Sequence, residues 1–165
     1  MKKFTIAIFS LLMGTALVSA QNLTYEQITG YLDQYAAAMQ VSFDVQSSDP
    51  VFGSAELYLD GNGYIAKVEG YSFYCDGKTR WTVDDVTKEV YIENNDQKFD
   101  VPAILSKAKI KFDSEGWPYE LSIPVKDDIV AVVRIRSLQP KEKGSQKCAL
   151  DVSKLDKSYI VTDLR

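Results

Sequence analysis

From Val41 onward, apolar residues recur at every second position, and this alternation constrains the fold more than any other feature of the sequence. Four segments carry it clearly, namely VSFDVQ from Val41, SAELYLD from Ser54, YIAKV from Tyr64 and KTRWTV from Lys78. A period of two is that of a strand with one apolar face. Because the segments are separated by short turns such as DGNG at Asp60–Gly63, they predict an antiparallel meander, which EVYIE then continues.

The segments outside this meander predict two helices and more sheet. Residues 22–39 carry apolar side chains at helical spacing and predict one amphipathic helix. VPAILSKA, Val101–Ala108, places a Pro at a helix start and predicts a short helical insert. The stretches KIKFDSEGWPYELSIPV and IVAVVRIRSL predict further strands, and CALDV with SYIVTDL can supply the closing strand. Pro118 and Pro124 favour an edge or bulged position for their strand.

The fold class predicted is mainly β with helices (α+β). A sheet this long curls rather than lying flat. One helix and one short insert are little cover for so many inward-facing apolar residues. Two arrangements stay open on the pattern alone: a closed, fully packed barrel, or an open sheet with a cavity between sheet and helices.

The N-terminus has the three parts of a secretory signal peptide. Lys2 and Lys3 give a basic start, Phe4–Val18 is an apolar-to-neutral run, and VSA precedes Gln21. We therefore expect cleavage after Ala20, leaving one domain over residues 21–165. The competing interpretation, a membrane anchor, needs a longer apolar run than this one.

The composition removes several classes of function. With no histidine, Ser-His-Asp catalysis and His-based metal sites are excluded, and we expect a protein without enzymatic activity, cofactor or metal. A glycosidase that uses only carboxylates is the remaining enzymatic alternative. The net charge is −4, from 19 Lys and Arg against 23 Asp and Glu, which argues against nucleic acid. Cys75 and Cys148 could form a disulfide in an oxidising compartment or stay as two buried thiols.

The segment YCDGKTRWTVDDVTKEVYIEN resembles the characteristic segment of the outer-membrane lipoprotein carrier family (the LolA type). The similarity consists of Asp76–Thr79, Trp81, and the alternating Val90 and Ile92 beyond them. The order of the preceding helix, the strands, the helical insert and the ending DVSKLDKSYIVTDLR is also similar. One stretch departs from the family: residues 60–67 read DGNGYIAK, without the Arg-Pro that members commonly carry there.

The resemblance implies a curved antiparallel half-barrel, covered by an N-terminal helix and a short helical lid. It implies a monomeric periplasmic carrier that holds acyl chains of lipoproteins between an inner-membrane release complex and an outer-membrane acceptor. The alternative is an envelope binding or assembly module of similar fold, with a filled core and no lipid cargo. Trp81, Val83, Val90 and Ile92 are expected to form one wall of the cavity. The residues expected to contact acyl chains are Val41, Phe43, Leu57, Leu59, Tyr64, Ala66, Trp81, Val83, Val90, Ile92, Ile104, Leu105, Phe112, Leu121 and Val133.

Overall fold

The computed structural model describes residues 25–46, 50–96, 101–126 and 129–165. The signal peptide predicted over residues 1–20 lies outside these ranges. The helices are α1 (Tyr25–Gln34) and α2 (Val101–Lys107), with a short 3-10 turn at Val152–Lys154. The strands are β1 (Ala36–Gln46), β2 (Val51–Asp60), β3 (Gly63–Val68), β4 (Tyr71–Cys75), β5 (Thr79–Asp84), β6 (Glu89–Asn94), β7 (Lys109–Phe112), β8 (Pro118–Lys126), β9 (Ile129–Lys141) and β10 (Ile160–Asp163).

The ten strands form one sheet in the order β10-β6-β5-β4-β3-β2-β1-β9-β8-β7. All neighbours pair antiparallel except β10, which lies parallel to β6. Strands β1 to β6 are the predicted meander, and strands β7 to β9 extend the sheet beyond β1. The predicted class, mainly β with few helices, is therefore confirmed. Within the described residues the sheet is open, with β7 and β10 at its two edges.

The turns between the first strands explain why the chain reverses where it does. The DGNG stretch joins β2 to β3, and Gly61 there has a φ of 58°. Gly77, between β4 and β5, has a φ of 94°. Both values lie in the left-handed region, which glycine occupies at least cost. These two short reversals hold adjacent strands in tight antiparallel register.

The first helix is shorter than the sequence predicts. We expected a helix over residues 22–39, but α1 ends at Gln34 and Ala36 already begins β1. Ala36 and Ala37 are fully buried, and Ala37 pairs with Leu59 across the sheet. The good helix propensity of alanine is therefore overridden by pairing on both sides of β1.

The two prolines of β8 lie where the pairing is irregular, as predicted. The register between β8 and β9 shifts between Pro124 and Lys126. On the other side of β8, the register with β7 shifts next to Phe112, which faces Pro118. Proline has no backbone N–H to donate to a neighbouring strand. Because the pairing is irregular at these positions, no regular ladder hydrogen bond is required there.

The closing strand comes from one of the two segments proposed for it. SYIVTDL supplies β10 at Ile160–Asp163, whereas residues 148–151 form no strand. Residues 142–159, which we call the strap, run from the end of β9 to the start of β10. Because β9 and β10 lie far apart in the sheet order, the strap has to cross several strands.

Candidate functional site

The pairing register divides the side chains of the sheet into two faces. Directly opposed residues lie on the same side of a sheet, and successive residues alternate. Leu57 faces Ala66, which faces Phe73, and we name this side the leucine face. The adjacent positions, Tyr58, Ile65, Tyr74 and Trp81, form a second row on the opposite side, which we name the tryptophan face.

The leucine face carries a continuous apolar band over seven neighbouring strands, in the sheet order β4-β3-β2-β1-β9-β8-β7. From Phe43 the row continues to Val133, Leu121 and Ile110 in one direction. Val41 is buried, but most of the band is only partly buried, which is unusual for the apolar side of a sheet. Partly buried members are Phe43, Leu57, Leu59, Tyr64, Ala66, Phe73, Ile110, Phe112, Leu121, Val133 and Ile135.

Aromatic rings shape the band at two places. The ring of Phe43 lies over Gly53, where a β-carbon would come within 2.9 Å of the ring. The absence of a side chain at Gly53 therefore lets the ring rest on the backbone of β2. Tyr71 and Phe73 stack with their ring centroids 6.4 Å apart. Burial raises the pKa of the Tyr64 hydroxyl, and the neighbouring Cys75 raises it further.

Charged side chains end the band at β5 and β6. On the leucine face of these strands, the Arg80 guanidinium donates to Glu93 at 2.7 Å. Tyr91 donates to Glu89 at 2.9 Å, and the hydrogen bond raises the pKa of Tyr91. The leucine face is thus apolar over seven strands and polar at the β10 side.

Helix α2 contains the predicted residues Ile104 and Leu105. Helix α2 contacts β8 and also contacts α1, which in turn contacts β1. Leu105 is buried and Ile104 is partly buried. The ring centroids of Tyr31 in α1 and of Tyr35, directly after α1, lie 5.2 Å apart, and burial raises the pKa of Tyr31.

The tryptophan face is filled where the strap crosses it. Trp81, Val83, Val90 and Ile92 form a buried cluster at β5 and β6. Four partly buried residues of the strap pack against this cluster, namely Leu150, Val152, Leu155 and Tyr159. The side chains make close-packed contacts there, as in an ordinary protein core.

Polar contacts fix the strap along its course. Near its start, the Gly144 amide donates to the Asp60 carboxylate at 2.6 Å, and the Tyr58 hydroxyl lies 3.1 Å from that of Ser145. At its end, Tyr159 donates to Asp85. The strap is thereby tied to β2 and to the turn after β5.

The register corrects the expectation that all predicted residues share one cavity. Trp81, Val83, Val90 and Ile92 lie on the tryptophan face, under the strap, and not with Leu57. A period of two fixes which residues of one strand share a side, but not how that side continues into the next strand. The predicted residues that do share the leucine face are Val41, Phe43, Leu57, Leu59, Tyr64, Ala66, Phe112, Leu121 and Val133. Phe73, Ile110 and Ile135 also lie on the leucine face but are not among the predicted residues. The alternation within each of their strands is the signal that could have identified them.

The two cysteines are free thiols separated by the sheet. Cys75 faces Tyr64 and belongs to the leucine face. The Cys148 sulfur lies 3.1 Å from where a β-carbon of Gly63 would stand, on the tryptophan face. Burial raises the pKa of Cys75, and it raises the pKa of Cys148 to about 11. Both thiols are free in the structure, so the disulfide that the sequence left open is not formed between these two described residues.

Other kinds of site are not found in the described part of the chain. It holds no group of three or more Cys, Asp or Glu side chains placed to bind a metal ion. None of its helices combines the length and the apolar character needed to cross a bilayer. A scan against protein-family models and a search of curated proteins both found no match for this chain.

Proposed function

We propose that this protein is a non-enzymatic carrier that binds acyl chains on its leucine face, in the manner of a periplasmic lipoprotein carrier. The observation that carries the proposal is the apolar band that spans seven strands and stays partly exposed. Each CH₂ group that leaves water is worth about 0.8 kcal/mol. A band of aliphatic and aromatic side chains supplies this energy without directional bonds, so it suits a cargo that must also be released.

In this proposal the sheet curves into a half-barrel around the cargo, and α1 and α2 cover it. Long sheets twist and curl, and the helices contact two strands of the band, α1 at β1 and α2 at β8. In the proposal, two short helices leave part of the band uncovered for a ligand, which a closed and fully packed barrel would exclude. The charged pair Arg80 and Glu93 marks the end of the acyl-binding surface.

The second candidate is an envelope binding module without lipid cargo. The buried Trp81 cluster under the strap agrees with its filled core, but a carrier can contain the same cluster. The candidates differ on the leucine face only. In a carrier this face binds acyl chains. In a module of the second kind the face only packs against the helices of the same protein.

Neighbouring residues of β3 provide the test. Ala66 lies at the centre of the band between Leu57 and Phe73, and Lys67 lies next to it on the opposite face. Ala66→Trp fills the band with a ring, and we expect at least a tenfold loss of affinity for a dansyl-labelled fatty acid. Tenfold corresponds to about two CH₂ groups displaced. Lys67→Trp adds the same ring on the other side and should leave that affinity unchanged.

Circular dichroism and thermal melting of both variants check that the fold is intact. Organic extraction and mass spectrometry of the purified wild-type protein should also show co-purifying acyl lipid. The proposal fails if the wild-type protein neither carries lipid nor binds the probe. It fails equally if both tryptophan variants bind the probe as the wild type does.

A further inference from the structure

A groove of about 380 Å³ opens on the tryptophan face, beside the strap. It lies over β9, β1, β2 and β3, on the side of the sheet opposite the acyl-binding band. Small-molecule sites are commonly about 300–1,000 Å³, so this groove is at the lower end of that range. Its size suits a ligand of one or two rings.

Three glutamines from three different elements line this groove. Gln40 comes from β1, Gln139 from β9 and Gln146 from the strap. Each carboxamide offers two N–H donors and a carbonyl acceptor, which can bond two adjacent hydroxyl groups at once. Ser137, which faces Gln40 in the sheet, adds a hydroxyl to the same wall.

The two charged residues of the groove cancel each other. Glu56 and Lys67 face each other across β2 and β3. Among the described residues neither forms a salt bridge, so both retain hydrogen-bonding capacity for a ligand. A lining with no net charge favours a neutral ligand.

The floor of the groove is apolar. Ala38, Tyr58 and Ile65 line it, and Tyr58 and Ile65 belong to a buried cluster on this face. The Tyr58 hydroxyl is engaged by Ser145, which leaves the ring as floor. An apolar floor below a polar rim matches a sugar ring, whose C–H face is apolar and whose edge carries hydroxyls.

Two other ligand classes fit less well. An extended peptide binds a sheet through unpaired backbone groups, but β9, β1, β2 and β3 all have neighbours on both sides. An acyl chain would cover the carboxamides and the charged groups of the groove and offer them no hydrogen-bond partners. We propose that this groove binds a neutral saccharide of one or two rings.

The test uses the full-length mature protein and three probes: maltose, cellobiose and N,N′-diacetylchitobiose. Backbone NMR shifts locate binding, and calorimetry gives the affinity. Gln40→Met and Gln139→Met keep the side-chain size but remove the amide, so each should weaken binding about 2- to 10-fold, the value of one neutral hydrogen bond. Gln46→Met is the matched control, because Gln46 is an exposed residue of the same strand and face outside the groove.

Lys67→Trp separates this proposal from the acyl carrier, because it should abolish saccharide binding and preserve fatty acid binding. Binding of at least one disaccharide, weakened by both groove variants and not by Gln46→Met, supports the proposal. If no probe shifts the resonances of groove residues, the proposal is wrong. It is also wrong if a probe binds and the groove variants bind it as tightly as the control.

Discussion

The ring of Phe43 rests on Gly53 of the neighbouring strand, with its Cζ 2.9 Å from where a β-carbon at position 53 would stand. Phe43 and Gly53 are directly paired in the β1–β2 ladder. Gly53 therefore sets how flat the Phe43 ring lies against the sheet. If the leucine face binds acyl chains as proposed, the position of this ring affects how much of the band a ligand can reach.

Replacing Gly53 by alanine should push the Phe43 ring away from the sheet. The ring is only partly buried, so it can swing outward, and we expect a loss of about 1 kcal/mol in the free energy of unfolding. The displaced ring should also weaken binding of the dansyl fatty acid. Urea denaturation and probe titration measure the two effects. In a double-mutant cycle with Phe43→Leu the effects should not add, and simple additivity would contradict the contact.

Trp81→Ala should destabilise the protein without affecting acyl binding. Trp81 is 8% exposed and lies in the cluster closed by the strap, so its removal should cost about 3–5 kcal/mol. Because Trp81 faces away from the leucine face, the folded fraction should bind the fatty acid probe with wild-type affinity. Equilibrium unfolding combined with probe titration below the transition tests both statements. A small loss of stability together with a loss of probe binding would contradict this statement and indicate that Trp81 contacts the acyl chain.

The thiols should react slowly in the folded protein. Burial disfavours the thiolate, so alkylation of Cys148 by iodoacetamide should accelerate only as the pH approaches its pKa of about 11. In denaturant both cysteines should react with an ordinary pKa near 9. The folded state thus holds the Cys148 proton more tightly, and stability should decline as the pH rises from about 9 toward 11.

Single Cys75→Ala and Cys148→Ala variants assign each alkylation rate to its residue. Denatured, non-reduced protein should show two reactive thiols per chain. If no reactive thiol is detected, the two cysteines form a disulfide, which would contradict the free thiols of the structure.

Glu120→Gln should make stability less dependent on acid pH. The ammonium of Lys111, 2.6 Å away, and the guanidinium of Arg134 hold the pKa of Glu120 below its usual value. This depression stabilises the folded state above the ordinary carboxyl pKa, and the gain disappears as the pH falls through the folded value. The variant should be less stable than wild type at neutral pH, and the difference should shrink below pH ~4.

Urea denaturation at several pH values measures this difference. Glu115→Gln is the control, since Glu115 is exposed and forms no ion pair among the described residues. A constant difference between Glu120→Gln and wild type at all pH values would show that the ion pairs do not titrate.

The strands were predictable from the sequence, but the continuity of the faces was not. Alternation located β2, β3 and β5 because one side of each is clearly more apolar. In β4 this contrast is lost, since Tyr71 and Phe73 lie on one face and Tyr74 on the other. The apolar side could not be followed through β4, so Trp81 was expected beside Leu57. Register is set by turns and pairing, which a single strand does not encode.

The helical insert and the irregular strand were predictable for a different reason. Proline restricts its own backbone and the residue before it, and its effects do not depend on distant contacts. Ala36–Met39 is the opposite case, because four residues with good helix propensity became strand through pairing with β2 and β9. The groove could not be foreseen, since Gln40, Gln139 and Gln146 are separated in sequence and meet only through the sheet order and the strap.

The strap also sets the order in which this chain can complete its core during synthesis. Strands β1 to β6 are local hairpins that can pair as soon as they emerge, but the Trp81 cluster needs Leu150 to Tyr159 to cover it. Contacts of such large sequence separation form late and slow folding. Until then the nascent protein exposes an indole and three aliphatic side chains on a nearly finished sheet. Exposed apolar surface on a partly folded chain promotes aggregation, so we expect this stage of synthesis to be the one most sensitive to it.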